Sequence, residues 1–174
     1  MRPLLYILAV VLLIQCKPNV SESVEAPVVD PIASISAVLD QWHLDAAETN
    51  FDSYFSAMSS DGVFIGTDPA ENWTVEDFKV FCKPYFDQQS AWDFKAVERQ
   101  VYFDETKQVS WFDELLETWM GVCRGSGVLI KDGDSWKIKH YVLSLTIPND
   151  HIQQVIELNK EKDSLFLERK KMLQ

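Results

Sequence analysis

The fold is decided between Val109 and Pro148, where three segments follow one another: VSWFDELL (109–116), VCRGSGVLI (122–130) and WKIKHYVLS (136–144). Their β-branched and aromatic residues predict three long β-strands. Asp132-Gly133, between the second and third segments, is a strong hairpin signal, whereas no strong turn residue marks the reversal after Leu116. We therefore predict an antiparallel meander.

The residues before this meander predict helices that cover one of its sides. Asp30-Pro31 supplies a capping residue and a proline at the first helical position, and Ile35, Leu39 and Trp42 recur at helical spacing. A second, short helix is expected from Phe51 until Ser60-Asp61-Gly62. A third should follow Thr74, whose spacing to Asp77 is a variant of the capping box. The remaining segments predict a short strand at 63–67 and a further strand within 92–103.

Helices followed by long strands indicate an α+β fold. A long antiparallel sheet that curls around the N-terminal helices encloses a cone-shaped cavity beside the first helix. Gly121, Gly125 and Gly127 fit the need for small residues where such a sheet bends.

The composition excludes some classes of partner. The chain has 174 residues and a formal net charge of −11. This acidic balance and the lack of a basic stripe argue against a nucleic-acid backbone as partner and against electrostatic adhesion to anionic lipid. Any membrane link must therefore be hydrophobic or covalent.

The N-terminus contains a candidate for such a link. Arg2 precedes an apolar run from Leu4 to Ile14, too short to span a membrane and typical of a signal peptide. Leu13-Ile14-Gln15-Cys16 resembles a bacterial lipoprotein signal with Cys16 as the lipidated residue, although Gln15 departs from the small residue usual there. The alternative is an ordinary cleaved signal.

We expect four regions along the chain. They are a signal peptide (1–15), a flexible tether after the lipidated cysteine (16–30), the folded domain (31–148) and a charged C-terminal helix (149–174). The expected location is the bacterial cell envelope, on the periplasmic side or the outer surface. Cys82 and Cys123 are interpreted as two buried free thiols, with a disulfide between them as the alternative.

Several pieces of the folded region resemble the SnoaL-like group of the nuclear transport factor 2-like superfamily. They lie on the first helix (Trp42-His43 and Ala46), at Asp52, around the first strand (63–68, Glu71 and Trp73) and in the meander (110–114, 125–129, 136–138, 140–141 and Ser144). The resemblance covers about residues 34–148. It implies a cone-shaped α+β barrel with a pocket, often dimerising through its sheet. It does not imply a reaction, because the group holds isomerases, cyclases, dehydratases and proteins that only bind or associate.

Alternation along the strands predicts which side chains face the cavity. Trp111 and Asp113 share the face with Val109 and Leu115, and His140 shares one with Trp136 and Ile138. These faces are the more apolar, so Asp113 and His140 are expected to point inward or to lie at the rim of the cavity.

Two interpretations stay open for each polar candidate. A desolvated Asp113 would have a raised pKa and act as a general base, or it would form a structural ion pair with Arg124. His140 and His43 are candidates for proton transfer, or hydrogen-bonded core residues. The acidic residues Asp61, Asp68 and Glu71 are interpreted as a solvated loop, so no metal site is expected, and no motif indicates a cofactor.

The aromatic side chains either line an apolar pocket or fill the cone as core; they are Trp42, Phe55, Phe64, Trp111 and Trp136. The candidate ligand-binding residues are Trp42, His43, Trp111, Asp113, Arg124 and His140. The leading hypothesis is an envelope lipoprotein that binds a small, largely apolar ligand. The alternatives are a cofactor-independent isomerase, cyclase or dehydratase using Asp113 or His140, and a dimeric assembly module with an outward patch including Phe112, Tyr141 and Leu143.

Overall fold

The computed structural model describes residues 30–173, which form four α-helices and one six-stranded sheet. The helices are α1 (Pro31–Ala47), α2 (Phe51–Ser56), α3 (Val75–Asp87) and α4 (Ile152–Met172). The strands are β1 (Met58–Ile65), β2 (Asn72–Thr74), β3 (Lys95–Phe103), β4 (Val109–Thr118), β5 (Gly121–Asp132) and β6 (Ser135–Leu145). The predicted signal peptide, Cys16 and most of the tether lie outside the described residues.

The predicted α+β architecture with a meander is confirmed. The sheet has the order β2-β1-β6-β5-β4-β3, and β3 to β6 are joined by antiparallel pairing. β1 lies parallel to β6, because the chain crosses from one edge of the meander to the other through α3. The sheet is curved and does not close into a barrel, so one concave face is left to be covered by α1, α2 and α3.

Side-chain caps mark the first residues of α1 and α3. The side chain of Asp30 accepts a hydrogen bond from the backbone amide of Ile32 at 3.0 Å, which caps α1. Thr74 Oγ1 accepts one from the amide of Asp77 at 3.2 Å and begins α3. The second helix ends earlier than predicted, because residues 58–62 already belong to β1.

Two turns of the meander contain a glycine with a positive φ angle. Gly121 has φ of 92° after the turn that joins β4 to β5, and Gly133 has φ of 60° in the predicted Asp-Gly hairpin. The first of these turns escaped prediction because its tip is Trp119-Met120. Glycine at both positions adopts a conformation that other residues rarely reach.

α4 extends from the domain without contributing a buried residue. It follows a single 3-10 turn at Asn149–His151. Within residues 30–173, no helix combines the length and apolar character needed to cross a membrane.

Candidate functional site

A buried carboxylate lies at the centre of the concave face. Glu114 is on β4 between Phe112 and Leu116, and only 1% of its surface is exposed. Its Oε1 lies 2.9 Å from His43 Nε2 of α1 and accepts a hydrogen bond from the Tyr141 hydroxyl at 3.0 Å. A buried charge is tolerated when each oxygen has a partner, and here both have one.

Arg99 of β3 contacts the other oxygen of this carboxylate. Arg99 Nε donates to Glu114 Oε2 at 2.9 Å, and Nη2 lies 2.8 Å from the same oxygen. Nη1 reaches α1, where it donates to Asp40 Oδ1 at 2.7 Å and to the Ser36 carbonyl at 3.2 Å. The guanidinium therefore ties the sheet to the helix that covers it.

The register of the sheet brings this cluster together. Arg99 pairs with Glu114 across β3 and β4, and Glu114 pairs with Gly125 across β4 and β5. A Cβ atom at Gly125 would lie 2.3 Å from the Tyr141 hydroxyl and 2.9 Å from Glu114 Oε1. Glycine at 125 is therefore what allows Tyr141, one strand further, to reach Glu114.

The cluster fixes the charges of its members. Burial by itself would raise the pKa of Glu114, but the hydrogen bond and charge of His43 and the charge of Arg99 lower it below its ordinary value. Burial and the neighbouring Glu114 raise the pKa of Tyr141 well above its ordinary value, so this hydroxyl stays a proton donor. Glu114 is thus ionised and accepts hydrogen bonds only.

This arrangement determines the tautomer of His43. Because an ionised carboxylate can only accept, His43 Nε2 carries a proton whether the ring is neutral or charged, and in the neutral ring Nδ1 is the nitrogen that accepts hydrogen bonds. A histidine oriented by a carboxylate in this way can accept a proton from a bound molecule or hold a hydrogen-bond donor.

His43 also forms part of the wall of a small pocket. The pocket has a volume of about 260 Å³ and lies between the second half of α1 and the start of β3. Its lining residues are Asp40, His43, Leu44, Ala47, Asp93, Phe94, Lys95 and Ala96. This volume is just below the roughly 300–1,000 Å³ of sites for drug-sized ligands, so it suits a smaller molecule.

The deeper part of the cone is filled by aromatic side chains. The Trp42 ring stacks on Tyr54 with centroids 4.8 Å apart, and its centroid is 4.7 Å from that of Tyr141. Phe64 stacks on Phe78 at 4.0 Å. These five side chains are buried. Trp42 and Phe64 therefore belong to the hydrophobic core and do not line an open pocket.

Two candidate pocket residues of β4 lie on the opposite face of the sheet from the one predicted. Trp111 is 45% exposed and stacks on Tyr102, while Asp113 accepts a hydrogen bond from Arg124 at 3.1 Å with both side chains open to solvent. The inward assignment of Trp111 and Asp113 is wrong because both faces of β4 carry large apolar residues. The polar residue on the inner face is Glu114, which can be buried because its hydrogen-bond partners compensate its charge.

The inward prediction for His140 is also wrong. The pairing of β5 with β6 shifts register between Val128 and Leu129, which pair with His140 and Ile138 and leave Lys139 as an extra residue. Such a bulge reverses the faces that follow it. Ile138 therefore points inward as predicted, whereas Tyr141 replaces His140 on the inner face.

Of the candidate residues, the structure brings only Trp42 and His43 to the concave side. The cluster around His43 contains three residues that sequence reasoning missed, namely Arg99, Glu114 and Tyr141. The available signal was a charged residue at the centre of each of two strands, Arg99 in β3 and Glu114 in β4. The predicted free, buried state of Cys82 and Cys123 is confirmed.

The sequence model of the SnoaL-like domain matches residues 35–148, from the first turns of α1 to the end of the sheet. The chain belongs to the SnoaL-like family. Among curated proteins, none matches it.

Several solved structures, among them proteins described as NTF2-like, have the same fold. A protein of unknown function from Pseudomonas putida KT2440 has a TM-score of 0.58 and 11% identity, covering 69% of this chain and 91% of that one. A candidate scytalone dehydratase from Novosphingobium aromaticivorans has a TM-score of 0.56 and 9% identity, with 67% and 84% covered. A candidate calcium/calmodulin-dependent protein kinase II association domain from Xanthomonas campestris has a TM-score of 0.53 and 17% identity, with 72% and 94% covered.

Proposed function

We propose that this SnoaL-like domain binds a small organic molecule in the pocket beside His43. The observation that carries the proposal is a carboxylate-oriented histidine in the wall of a pocket of about 260 Å³. Leu44, Phe94 and Ala96 supply apolar contact, and His43 supplies a directional hydrogen bond. A mostly apolar lining with few fixed polar groups is the usual make-up of a small-molecule site.

An NMR titration tests this proposal. The ring signals of His43 are followed while a library of small aromatic acids, phenols and ketones is added. Ala47→Trp or Ala96→Trp should fill the pocket and abolish the shifts, whereas Ala33→Trp, an exposed position on the same helix outside the pocket, should preserve them. The proposal fails if no compound moves the His43 signals or if the filled variants respond like the wild type.

A second candidate function is proton transfer of the isomerase or dehydratase type. In this protein His43, rather than Asp113 or His140, would be the general base, since Glu114 directs its Nε2 proton inward and leaves Nδ1 basic. The structure described as a candidate scytalone dehydratase supports this class through its fold alone. A cofactor is not required for such a step.

Deuterium exchange separates catalysis from binding. Ketones that bind in the NMR titration are incubated with the protein in D₂O, and the label at the carbon next to the carbonyl is measured by mass spectrometry. Catalysis predicts faster exchange with the wild type than with His43→Gln. Equal exchange rates would leave the domain as a binding module.

A third candidate function is self-association through the outer face of the sheet. The exposed stack of Tyr102 and Trp111 lies beside Val128 on this face. The predicted patch of Phe112, Tyr141 and Leu143 is wrong, because these three side chains are buried on the inner face. The relative described as an association domain has the same fold. Sedimentation equilibrium should give a dimer that Trp111→Lys dissociates and Trp119→Lys, on the β4–β5 turn, does not.

We further propose that Cys16 is lipidated and holds the domain at the bacterial cell envelope. The support is the apolar run from Leu4 to Ile14 directly before Cys16 and the proline-containing segment after it. Metabolic labelling with a palmitate analogue should mark the wild type and not Cys16→Ala. An unlabelled wild type that is nevertheless cleaved would indicate the ordinary signal peptide.

A further inference from the structure

A second and larger groove shares no lining residue with the His43 pocket. It has a volume of about 890 Å³ and separates the loop after β1 from the second half of α4. One wall is formed by residues 67–70. The other is formed by α4 residues Asn159, Lys162, Asp163, Leu165, Phe166, Arg169 and Lys170, with Leu173 at the helix end. This volume is within the roughly 300–1,000 Å³ of small-molecule sites.

The groove is long and has an apolar strip. The α4 wall from Asn159 to Leu173 extends for about 21 Å at 1.5 Å per residue. Phe166 is half-buried along it, and Leu165 is 49% exposed. Pro69 faces them from the loop. The apolar residues of this wall, from Leu165 to Leu173, extend for about 12 Å at the same rise, which suits a straight hydrocarbon chain better than a compact ring.

Three cations line the same groove. They are Lys162, Arg169 and Lys170, and within residues 30–173 no carboxylate oxygen lies within 4.0 Å of their charged nitrogens. Lys170 Nζ instead sits 5.4 Å from the ring centroid of Phe166, and Arg169 Nε donates to the backbone carbonyl of Leu165. Three unpaired cations on one groove are notable in a chain of net charge −11.

The acidic residues of the groove do not neutralise these cations. The Asp68 carboxylate accepts a hydrogen bond from the Ala70 amide at 2.8 Å and so stabilises its own loop. Asp163 lies on α4 with the cations, but it forms no ion pair within 4.0 Å among the described residues. The lining therefore has three cations against two carboxylates, an excess of one positive charge, and no ion pair within 4.0 Å holds these cations among the described residues.

We propose that this groove binds a long-chain carboxylate, whose charged group is attracted by the cations Lys162, Arg169 and Lys170 and whose hydrocarbon chain is covered by Leu165, Phe166 and Leu173. An Arg side chain recognises a carboxylate through paired N–H donors, and aliphatic burial adds about fourfold in affinity per methylene. This ligand class differs from that of the His43 pocket, and the two sites share no lining residue.

Calorimetric titration of the full chain tests the ligand class. Dodecanoate, kept below its micelle concentration, should bind at least tenfold more tightly than dodecanol, and octanoate at least tenfold more weakly than dodecanoate. Added salt should weaken dodecanoate and leave dodecanol unchanged. Equal affinities for dodecanoate and dodecanol would overturn the proposal.

Matched variants test the location. Lys162→Gln with Arg169→Gln should lower the dodecanoate affinity at least tenfold, whereas Lys160→Gln with Lys171→Gln removes the same charge from α4 outside the groove and should change it less than twofold.

Ala70→Trp should fill the groove and weaken the binding of both dodecanoate and dodecanol, with helix content checked by circular dichroism. Equal losses in the two charge variants would assign the effect to general attraction and overturn the site. Vesicles of phosphatidylglycerol that bind the chain while free dodecanoate does not would assign the cations to a membrane surface instead.

Discussion

At the scale of single residues, the domain depends on one buried charge. Glu114 is nearly inaccessible to water, yet its pKa is lowered because His43 and Arg99 contact its oxygens. A buried ion pair is weak evidence for stability as a whole, but removing one partner leaves the other charge without compensation. The cluster thus couples α1 to the sheet and also orients the histidine of the candidate site.

We predict that Glu114→Gln destabilises the domain by about 3 kcal/mol or more, because Arg99 then keeps only Asp40 as a charged partner. Urea unfolding followed by tryptophan fluorescence measures the change. The control is Asp113→Asn, which breaks the exposed pair with Arg124 and should cost about 1 kcal/mol or less. Similar losses in the two variants would show that the buried cluster contributes no more than a surface pair.

At the scale of elements, β5 has no room for a side chain at Gly125, the residue that pairs with Glu114. We predict that Gly125→Ala costs about 1–3 kcal/mol, because the new methyl group would overlap the Tyr141 hydroxyl. The same substitution in a Tyr141→Phe background should cost less, since the overlapping hydroxyl is gone. A double-mutant cycle from unfolding measurements gives this coupling. A cost that is identical in both backgrounds would place the strain elsewhere in the strand.

α4 is the element on which the domain depends least. Since it contributes no buried residue, we predict that a chain ending at Asp150 keeps its melting temperature within about 4 °C of the full chain, as expected for a stability change below about 1 kcal/mol. The same truncation should abolish dodecanoate binding and leave the His43 titration intact. A large fall in melting temperature would mean that α4 is part of the folding unit.

At the scale of the whole molecule, the lowered carboxylate pKa values predict acid sensitivity. The pKa of Glu114 is lower in the folded state than its ordinary value of 4.5, so its contribution is present above about pH 4.5 and is lost as the pH falls toward the folded pKa. Hydrogen bonds from Lys139 and Ser59 lower the pKa of exposed Asp61 to about 2, which acts in the same direction.

We therefore expect the free energy of unfolding to decrease steadily between about pH 4.5 and pH 3, measured by urea titration at each pH. Glu114→Gln should show a shallower decrease, because it lacks the group that must take up a proton. An equal slope in the variant and the wild type would remove Glu114 from the acid response. The wild type at pH 7 in the same buffers is the reference.

Much of the fold follows from local patterns. The cap at Asp30, the Thr74–Asp77 pair and the Asp132-Gly133 hairpin are short-range signals, and each lies where it was predicted. The faces of β4 were not predictable in the same way, because Trp111 and Phe112 are equally suited to burial. Only the packing of α1 against one face decides which of them meets water.

By itself, the sequence determined the α+β class, the meander, the N-terminal caps of α1 and α3 and the resemblance to the SnoaL-like family. Those features depend on residues close together in the chain, whose preferences act whatever lies elsewhere. The tertiary structure alone decided the site, since His43, Arg99, Glu114 and Tyr141 come from four separate elements. The bulge at Lys139 turns Tyr141 inward, and the absence of a side chain at Gly125 lets it reach Glu114, because in a sheet one extra residue or one missing side chain changes which groups meet.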